Sequence, residues 1–230
     1  ERAISHFHRA LSSLGENKKN LQVVMLKKEL GESYRDAGDA PKAVETFKQV
    51  LTLSRKWNFQ TIPEGRLIAA ETCLELSKIL TRIIGDLDAS ESYIKEGLSL
   101  TEKDERLRAL LLLAYAGLEI ERGRLQPARE HVDTASSIIE SHGHAPDFIE
   151  MYNLLGHLYR KSGHLTLSRE ALEKSLELCR QTGNLVTLSR ACNNIAGVLC
   201  ECGHYLQAMP YFKEALEAAD KAEHPTLKLI

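Results

Sequence analysis

The residues best equipped for chemistry gather late in the chain, in Cys200-Glu-Cys202-Gly-His204, with Cys192 and Cys179 upstream. Thiolates and an imidazole are the ligands that tetrahedral zinc takes. The spacing argues against it. Residues two apart on a helix point about 200° away from one another, so the two thiolates diverge, and reduced cysteine is far more often a buried packing residue. His142 and His144 flank a glycine in a His-Gly-His-Ala-Pro linker and read as solvated turn residues. Glu119, Glu121 and His131 supply acid–base groups without a nucleophile at matching spacing. Neither GxGxxG nor GxxxxGK occurs, so no glycine loop is present to cradle a phosphate. The expectation is a chain that is not an enzyme and takes no cofactor and no metal.

The elements that position these residues follow from a repeat. Met151 to Ser175 and Ala191 to Ala215 carry one pattern, with Gly163 matching Gly203 at an offset of 40 (203 − 163). Gly156 then falls over Ala196, Ser168 over Ala208, Leu172 over Phe212 and Ser175 over Ala215. Each copy reads as two amphipathic helices joined at the glycine. The small residue seven before the glycine lets the partner helix approach, small residues five and twelve after it form the matching surface, and a large residue nine after it fills the gap. A fixed period of this size marks a stacked-repeat chain.

This small–large–small spacing resembles the tetratricopeptide repeat, whose position 8 is Gly or Ala, with Ala at 20 and 27 and an aromatic at 24. The resemblance implies an all-α, right-handed superhelical solenoid of stacked antiparallel helix pairs that binds proteins without catalysing a reaction. In their forty-residue length the repeats are similar to those of spindle-polarity adaptors and kinesin light chains.

Composition agrees with that class. The 230 residues are 43% hydrophobic, with 30 basic and 32 acidic side chains and a net charge of −2. No basic stripe points to nucleic acid, and no apolar run reaches the ~20 residues of a membrane helix. Five cysteines without framework spacing fit a reducing, cytoplasmic compartment.

In chain order, a single repeat domain over 1–230 is expected, cut from a longer protein. Its units are 1–14 (partial), 20–55, 64–101, 103–141, 146–182 and 184–223, and Pro225 stands where another would open. Ala3, Phe7 and Ala10 take positions 20, 24 and 27 of the partial unit. Asp39 and Asn184 are expected helix caps. Gly38 to Gly85 is 47 (85 − 38), seven above the period, and the surplus is placed around Trp57 to Gly65. Trp57 and Phe59 there either pack over a helix-pair edge or form an exposed contact. In the third unit Lys78 falls where Gly or Ala is expected and Ser77 where Leu is. In the fourth, Glu119 replaces an aromatic and needs a partner or solvent.

The first helix of each pair lines the inner side of such a stack. Its inward positions predict a groove lined by Lys28, Glu32 and Arg35, then Thr72, Glu75, Ile79 and Arg82. The line continues through Leu110, Leu113, Gly117 and Ile120, then Glu150, Asn153, His157 and Arg160, then Arg190, Asn193, Gly197 and Cys200. Leu113 and Ile120 would take an apolar anchor. Asn153, Asn193, Arg160 and Arg190 would hold backbone or acidic groups of a partner peptide or helix. Lys28 followed by Glu32 does not suit the carboxylate clamp of the family's chaperone-binding members. The alternatives carried beside the scaffold reading are a sensor arm of a larger ATPase or transcription regulator, and a self-association module driven by Phe7 and its neighbours.

Overall fold

The computed structural model describes residues 2–15, 19–101 and 104–222, and all regular structure among them is helical. Readings that fall on Glu1, on residues 103 and 223 or on Pro225 lie outside the described residues. The helices are α1 (Arg2–Leu14), α2 (Leu21–Asp36), α3 (Ala40–Lys56), α4 (Pro63–Ile79), α5 (Leu87–Leu100), α6 (Glu105–Glu121), α7 (Leu125–His142), α8 (Ala145–Lys161), α9 (Leu165–Thr182), α10 (Leu185–Glu201) and α11 (Tyr205–Lys221). Their starts are written in the sequence. Asn20, Asp39, Asp86 and Asn184 each accept a hydrogen bond from a backbone N–H of the first turn. The hairpin turns run through Gly38, Gly85, Gly123, Gly163 and Gly203 at φ between 74° and 80°, the left-handed region that a Cβ disfavours.

The chain forms two compact units, residues 1–118 and 119–230. In the first, α2 with α3 and α4 with α5 form antiparallel hairpins, and α3 packs on α4. A Cβ at Gly31 would sit 2.6 Å from Phe47 Cε1, so the ring occupies the space the glycine leaves. The long link after α3 is folded inward. Trp57 is buried, meets Phe59 edge-on at 5.8 Å and joins a cluster with Leu11, Val23, Val24, Leu30, Val50 and Ile68. A Cβ at Gly65 would meet the Phe59 carbonyl oxygen at 2.2 Å, so only glycine lets the link lie this close to α4.

The third hairpin explains its own irregularity. After α4 the backbone widens into a π turn over Leu80–Ile84, which inserts one residue into the helical count. Ser90 donates to the Ser77 carbonyl at 3.1 Å. In the second unit Ser168, at the same repeat position as Ser90, donates to the Gly156 carbonyl at 2.7 Å. The two contacts span 13 (90 − 77) and 12 (168 − 156) residues, so Ser77, not Lys78, fills the small-residue position. Lys78 turns outward beside Glu75, and the surplus of seven divides between the Trp57 link and this turn.

In the second unit α8 with α9 and α10 with α11 form hairpins, and α9 packs on α10. A Cβ at Gly156 would be 2.5 Å from Leu172 Cγ, the same arrangement as Gly31 with Phe47. Ser175 donates to the Ile149 carbonyl at 3.4 Å and Ser189 to the Ala215 carbonyl at 2.9 Å. These are the same two repeat positions with the donor exchanged. Glu119 is buried and finds its partner across the turn: Arg124 Nη2 donates to its Oε1 at 2.7 Å, with Nε against Oε2.

One constellation occurs in both units. Arg55 forks onto Glu96 (Nε 3.1 Å, Nη2 2.5 Å), and Arg180 forks onto Glu214 (Nε 3.2 Å, Nη2 2.8 Å). Each arginine ends the second helix of one hairpin, and each glutamate lies on the second helix of the next. Cys73 and Tyr93 pack near the first pair, Cys192 and Tyr211 near the second. The Tyr93-Ile-Lys-Glu96 and Tyr211-Phe-Lys-Glu214 strings are the same motif, eight to eleven residues after the turn glycine (93 − 85 and 96 − 85; 211 − 203 and 214 − 203). Burial pushes both thiols up, Cys192 to about 12 and Cys73 further, so both stay protonated as packing groups.

Candidate functional site

The first helices of the hairpins carry the polar rows expected of an inner face, and the two units treat them differently. In the first unit the row is closed on itself. Lys28 pairs with Glu32 at 2.9 Å and with Glu71 at 2.8 Å. Arg35 bonds Glu75 and also reaches Asp36 at 2.8–2.9 Å. The paired carboxylates hold the Lys28 ammonium above its ordinary range against the opposing effect of burial, and Glu75 and Asp36 do the same for Arg35. The π turn sets this register. It sends Thr72 and Ile79, expected in the row, into the core, and brings Glu71 and Lys78 outward. Arg82 lies in the turn itself, exposed.

Leu113 and Ile120 do not line a groove: each is only 2% exposed. Leu107, Ala109, Leu111, Leu112, Leu113, Ala116, Leu118 and Ile120 are all buried, so α6 is apolar around most of its circumference. Such a helix packs on several sides rather than presenting one face to a ligand. Periodicity read from a single face could not show this, because α6 has no polar face to contrast with it.

The second unit brings its predicted residues together with looser pairing. Asn194 Nδ2 donates to Asn153 Oδ1 at 3.4 Å. Arg160 Nε stands 3.5 Å from Glu201 Oε1, with both side chains more than a third exposed. The Arg160 guanidinium also overhangs Gly197, where a Cβ would be 3.8 Å from Nη1. His157 Nε2 lies 4.0 Å from Glu121. Asn193 is half-buried beside Asn194, and Arg190 is exposed one turn earlier on α10. The geometry thus joins Asn153, His157 and Arg160 of α8 to a row on α10. Asn194 and Glu201 belong to that row, Glu121 at the end of α6 faces His157, and none of the three was anticipated. The doubled Asn193-Asn194 was the available signal, since two consecutive carboxamides about 100° apart widen the polar arc of α10. Hydrogen bonds to oxygen run 2.7–3.2 Å from a nitrogen donor, and contacts of 3.4–4.0 Å are weaker.

Among the described residues no three His, Cys, Asp or Glu side chains come together as a metal site requires. Cys192 and Cys179 are buried while Cys202 is exposed. No described helix is long and apolar enough to cross a membrane.

This is a helical-repeat protein, built from antiparallel helix pairs. Residues 147–221 match the family model of the tetratricopeptide repeat. Solved structures extend the likeness to the rest of the chain. BtubC (BKLC) from P. vanneervenii superposes with a TM-score of 0.62 at 15% identity, over 96% of this chain and 89% of that one. PH0952 from Pyrococcus horikoshii, a signal transduction ATPase with numerous domains and a tetratricopeptide repeat sensor, gives 0.70 at 17% identity over 98% of this chain. This chain spans 32% of that protein's length. A putative kinesin light chain repeat protein from Podosopora anserina gives 0.55 at 17% identity, over 86% of this chain and 94% of that one. No curated protein sequence matches the chain. At these identities the likeness establishes the fold: an all-α stack of tetratricopeptide-like helix pairs. Stacks of this kind generally present surfaces to other proteins rather than catalyse reactions.

Proposed function

We propose that the chain is a non-enzymatic interaction scaffold that holds a segment of another protein along the α8–α10 face. The observation that carries this reading is the loosely self-paired row of Asn153, Asn194, Arg160 and Glu201, with side-chain contacts of 3.4 and 3.5 Å. An Asn carboxamide offers one donor and one acceptor group, which suits the N–H and C=O of a partner backbone. Arg160 and Arg190 present forked donors to a carboxylate, and Glu201 is the group such a carboxylate displaces. Lys28 and Arg35 are occupied by Glu71 and Glu75, so the gripping residues are those of the second unit. The test is affinity capture with mass spectrometry, comparing the unmodified chain with Asn153→Ala/Asn194→Ala and with Arg160→Glu. Loss of the same proteins from both variants, with helical circular dichroism intact, supports the reading. Unchanged capture by both ends it.

A second reading, a sensor arm within a larger ATPase, is favoured by the likeness to PH0952 over 98% of this chain. An ATPase domain encoded in the same reading frame decides for it.

A further inference from the structure

Within each unit, two neighbouring hairpins are joined at three levels. In the second unit Arg180, in the last turn of α9, forks onto Glu214 of α11 at 3.2 and 2.8 Å and ties the second helices together. The first helices, α8 and α10, meet through Asn153–Asn194 at 3.4 Å and Arg160–Glu201 at 3.5 Å. Between these two edges lies the apolar contact of α9 with α10, which gathers Leu172, Leu176 and Cys179 with Cys192, Ile195 and Leu199. The first unit has the same three levels. Arg55–Glu96 joins α3 to α5, Phe47 and Leu51 cluster with Cys73 and Leu76 between α3 and α4, and Lys28–Glu71 at 2.8 Å joins α2 to α4. Both edges are drawn tight there. In the second unit only the fork edge is.

A hairpin that rocks on a close-packed contact moves its two edges in opposite senses. The fork therefore governs how far α10 can approach α8. We propose that Arg180 and Glu214 are positioning residues for the α8–α10 face: by holding α11 to α9 they keep Asn194 and Glu201 from closing onto Asn153 and Arg160. Releasing the fork lets the second helices part and the first helices close, and the row then pairs with itself as Lys28 and Glu71 do. Neither fork residue lies on α8 or α10, so both act through the packing and touch no partner. The consequence for binding rests on the scaffold reading, whereas the movement itself does not.

Asn153→Cys/Asn194→Cys, built into the chain together with Cys200→Ala/Cys202→Ala, reads the movement without a partner. A disulfide needs Cβ atoms about 3.5–4.5 Å apart, so its equilibrium against glutathione reports the approach of α8 to α10. Adding Glu214→Gln is expected to favour the disulfide across positions 153 and 194 about threefold or more. The charge exchange Arg180→Glu/Glu214→Arg, which restores the pair, is expected to return it to within about twofold of the parent. An equilibrium that Glu214→Gln leaves unchanged, or shifts towards the dithiol, overturns the proposal, as does a rise that the charge exchange does not reverse. Affinity capture tests the consequence for binding. Glu214→Gln is expected to weaken, about threefold or more, retention of the proteins that Asn153→Ala/Asn194→Ala and Arg160→Glu release. Retention lost in those two variants but kept in Glu214→Gln overturns the positioning role and leaves the scaffold reading standing. Retention kept in all three ends the scaffold reading, and the disulfide equilibrium still decides the movement.

Discussion

The two units share a packing rule and differ in what their open faces offer. Gly31 with Phe47 and Gly156 with Leu172 are the same contact, and Arg55–Glu96 and Arg180–Glu214 are the same fork. Yet Lys28 and Arg35 are bound by carboxylates of the neighbouring helix, while Asn153 meets the Asn194 amide, and Arg160 the Glu201 carboxylate, at the limit of useful distance. Stacking is fixed by small and large residues at set positions. The face between those positions is free to be closed or open, and a substitution that disturbs one property need not touch the other.

The largest effect expected concerns the shared rule. Gly156→Leu and Gly31→Leu each force a side chain into space held by Leu172 or Phe47, and overpacking of this kind costs ~1–3 kcal/mol or more. Thermal unfolding should show similar losses for both. A loss confined to one unit would break the equivalence. Next comes the register of the third hairpin. Ser77→Leu should cost ~1–3 kcal/mol by the same mechanism, and Lys78→Ala less than about 0.5 kcal/mol, as for an ordinary surface change. The reverse order would restore Lys78 to the packing position and remove the π-turn account.

The difference in open faces gives a binding prediction. Arg160→Glu should weaken partner capture about tenfold or more, equal to ~1.4 kcal/mol. Arg35→Ala, which acts on a pair already satisfied, should leave capture within about twofold and cost ~0.5–1 kcal/mol of stability. Equal effects on capture would mean that both faces grip.

A smaller effect is read in acid. Arg180 holds the Glu214 carboxyl below its ordinary range. Such a depressed group contributes stability at neutral pH that is lost as pH falls through its folded-state value. Unfolding midpoints followed downward from neutral should decline less steeply in Glu214→Gln, which has no proton to take up there. Smallest is a chemical contrast with little energetic consequence. Alkylation of the native chain at mildly alkaline pH should label exposed Cys202 first and spare Cys73 and Cys192, whose thiols burial keeps protonated. Early labelling of Cys192 would show that the Arg180–Glu214 fork opens readily.

Much of the fold was legible because stacking depends on residue size at fixed intervals. Gly156, Ser168 and Leu172 declare the hairpin by volume, and Asn184 and Asp39 declare helix starts by their side-chain acceptors. Lys78 misled because the count of residues along a helix assumes 3.6 per turn, and Leu80–Ile84 departs from it. Leu113 and Ile120 misled because their helix is apolar almost all round. The repeat positions of Asn153 and Arg160 could be read off the sequence, but their contacts with Asn194 and Glu201 could not, since the partner of a side chain on a neighbouring helix depends on the stagger between helices. The Tyr-x-Lys-Glu string was plain in the sequence, but its meaning depends on Arg55 and Arg180, more than thirty residues upstream (96 − 55 and 214 − 180).

The widened turn at Leu80–Ile84 shows how such a chain tolerates a change in length. One extra residue is absorbed next to a glycine bend, and Ser90 still finds the carbonyl it would have reached without it. An insertion at the tip of a hairpin is therefore confined to that tip. Mid-helix, the same insertion would rotate every later side chain by about 100°. Tips are where lineages of this architecture can gain or shed single residues while the helices on either side keep their phase.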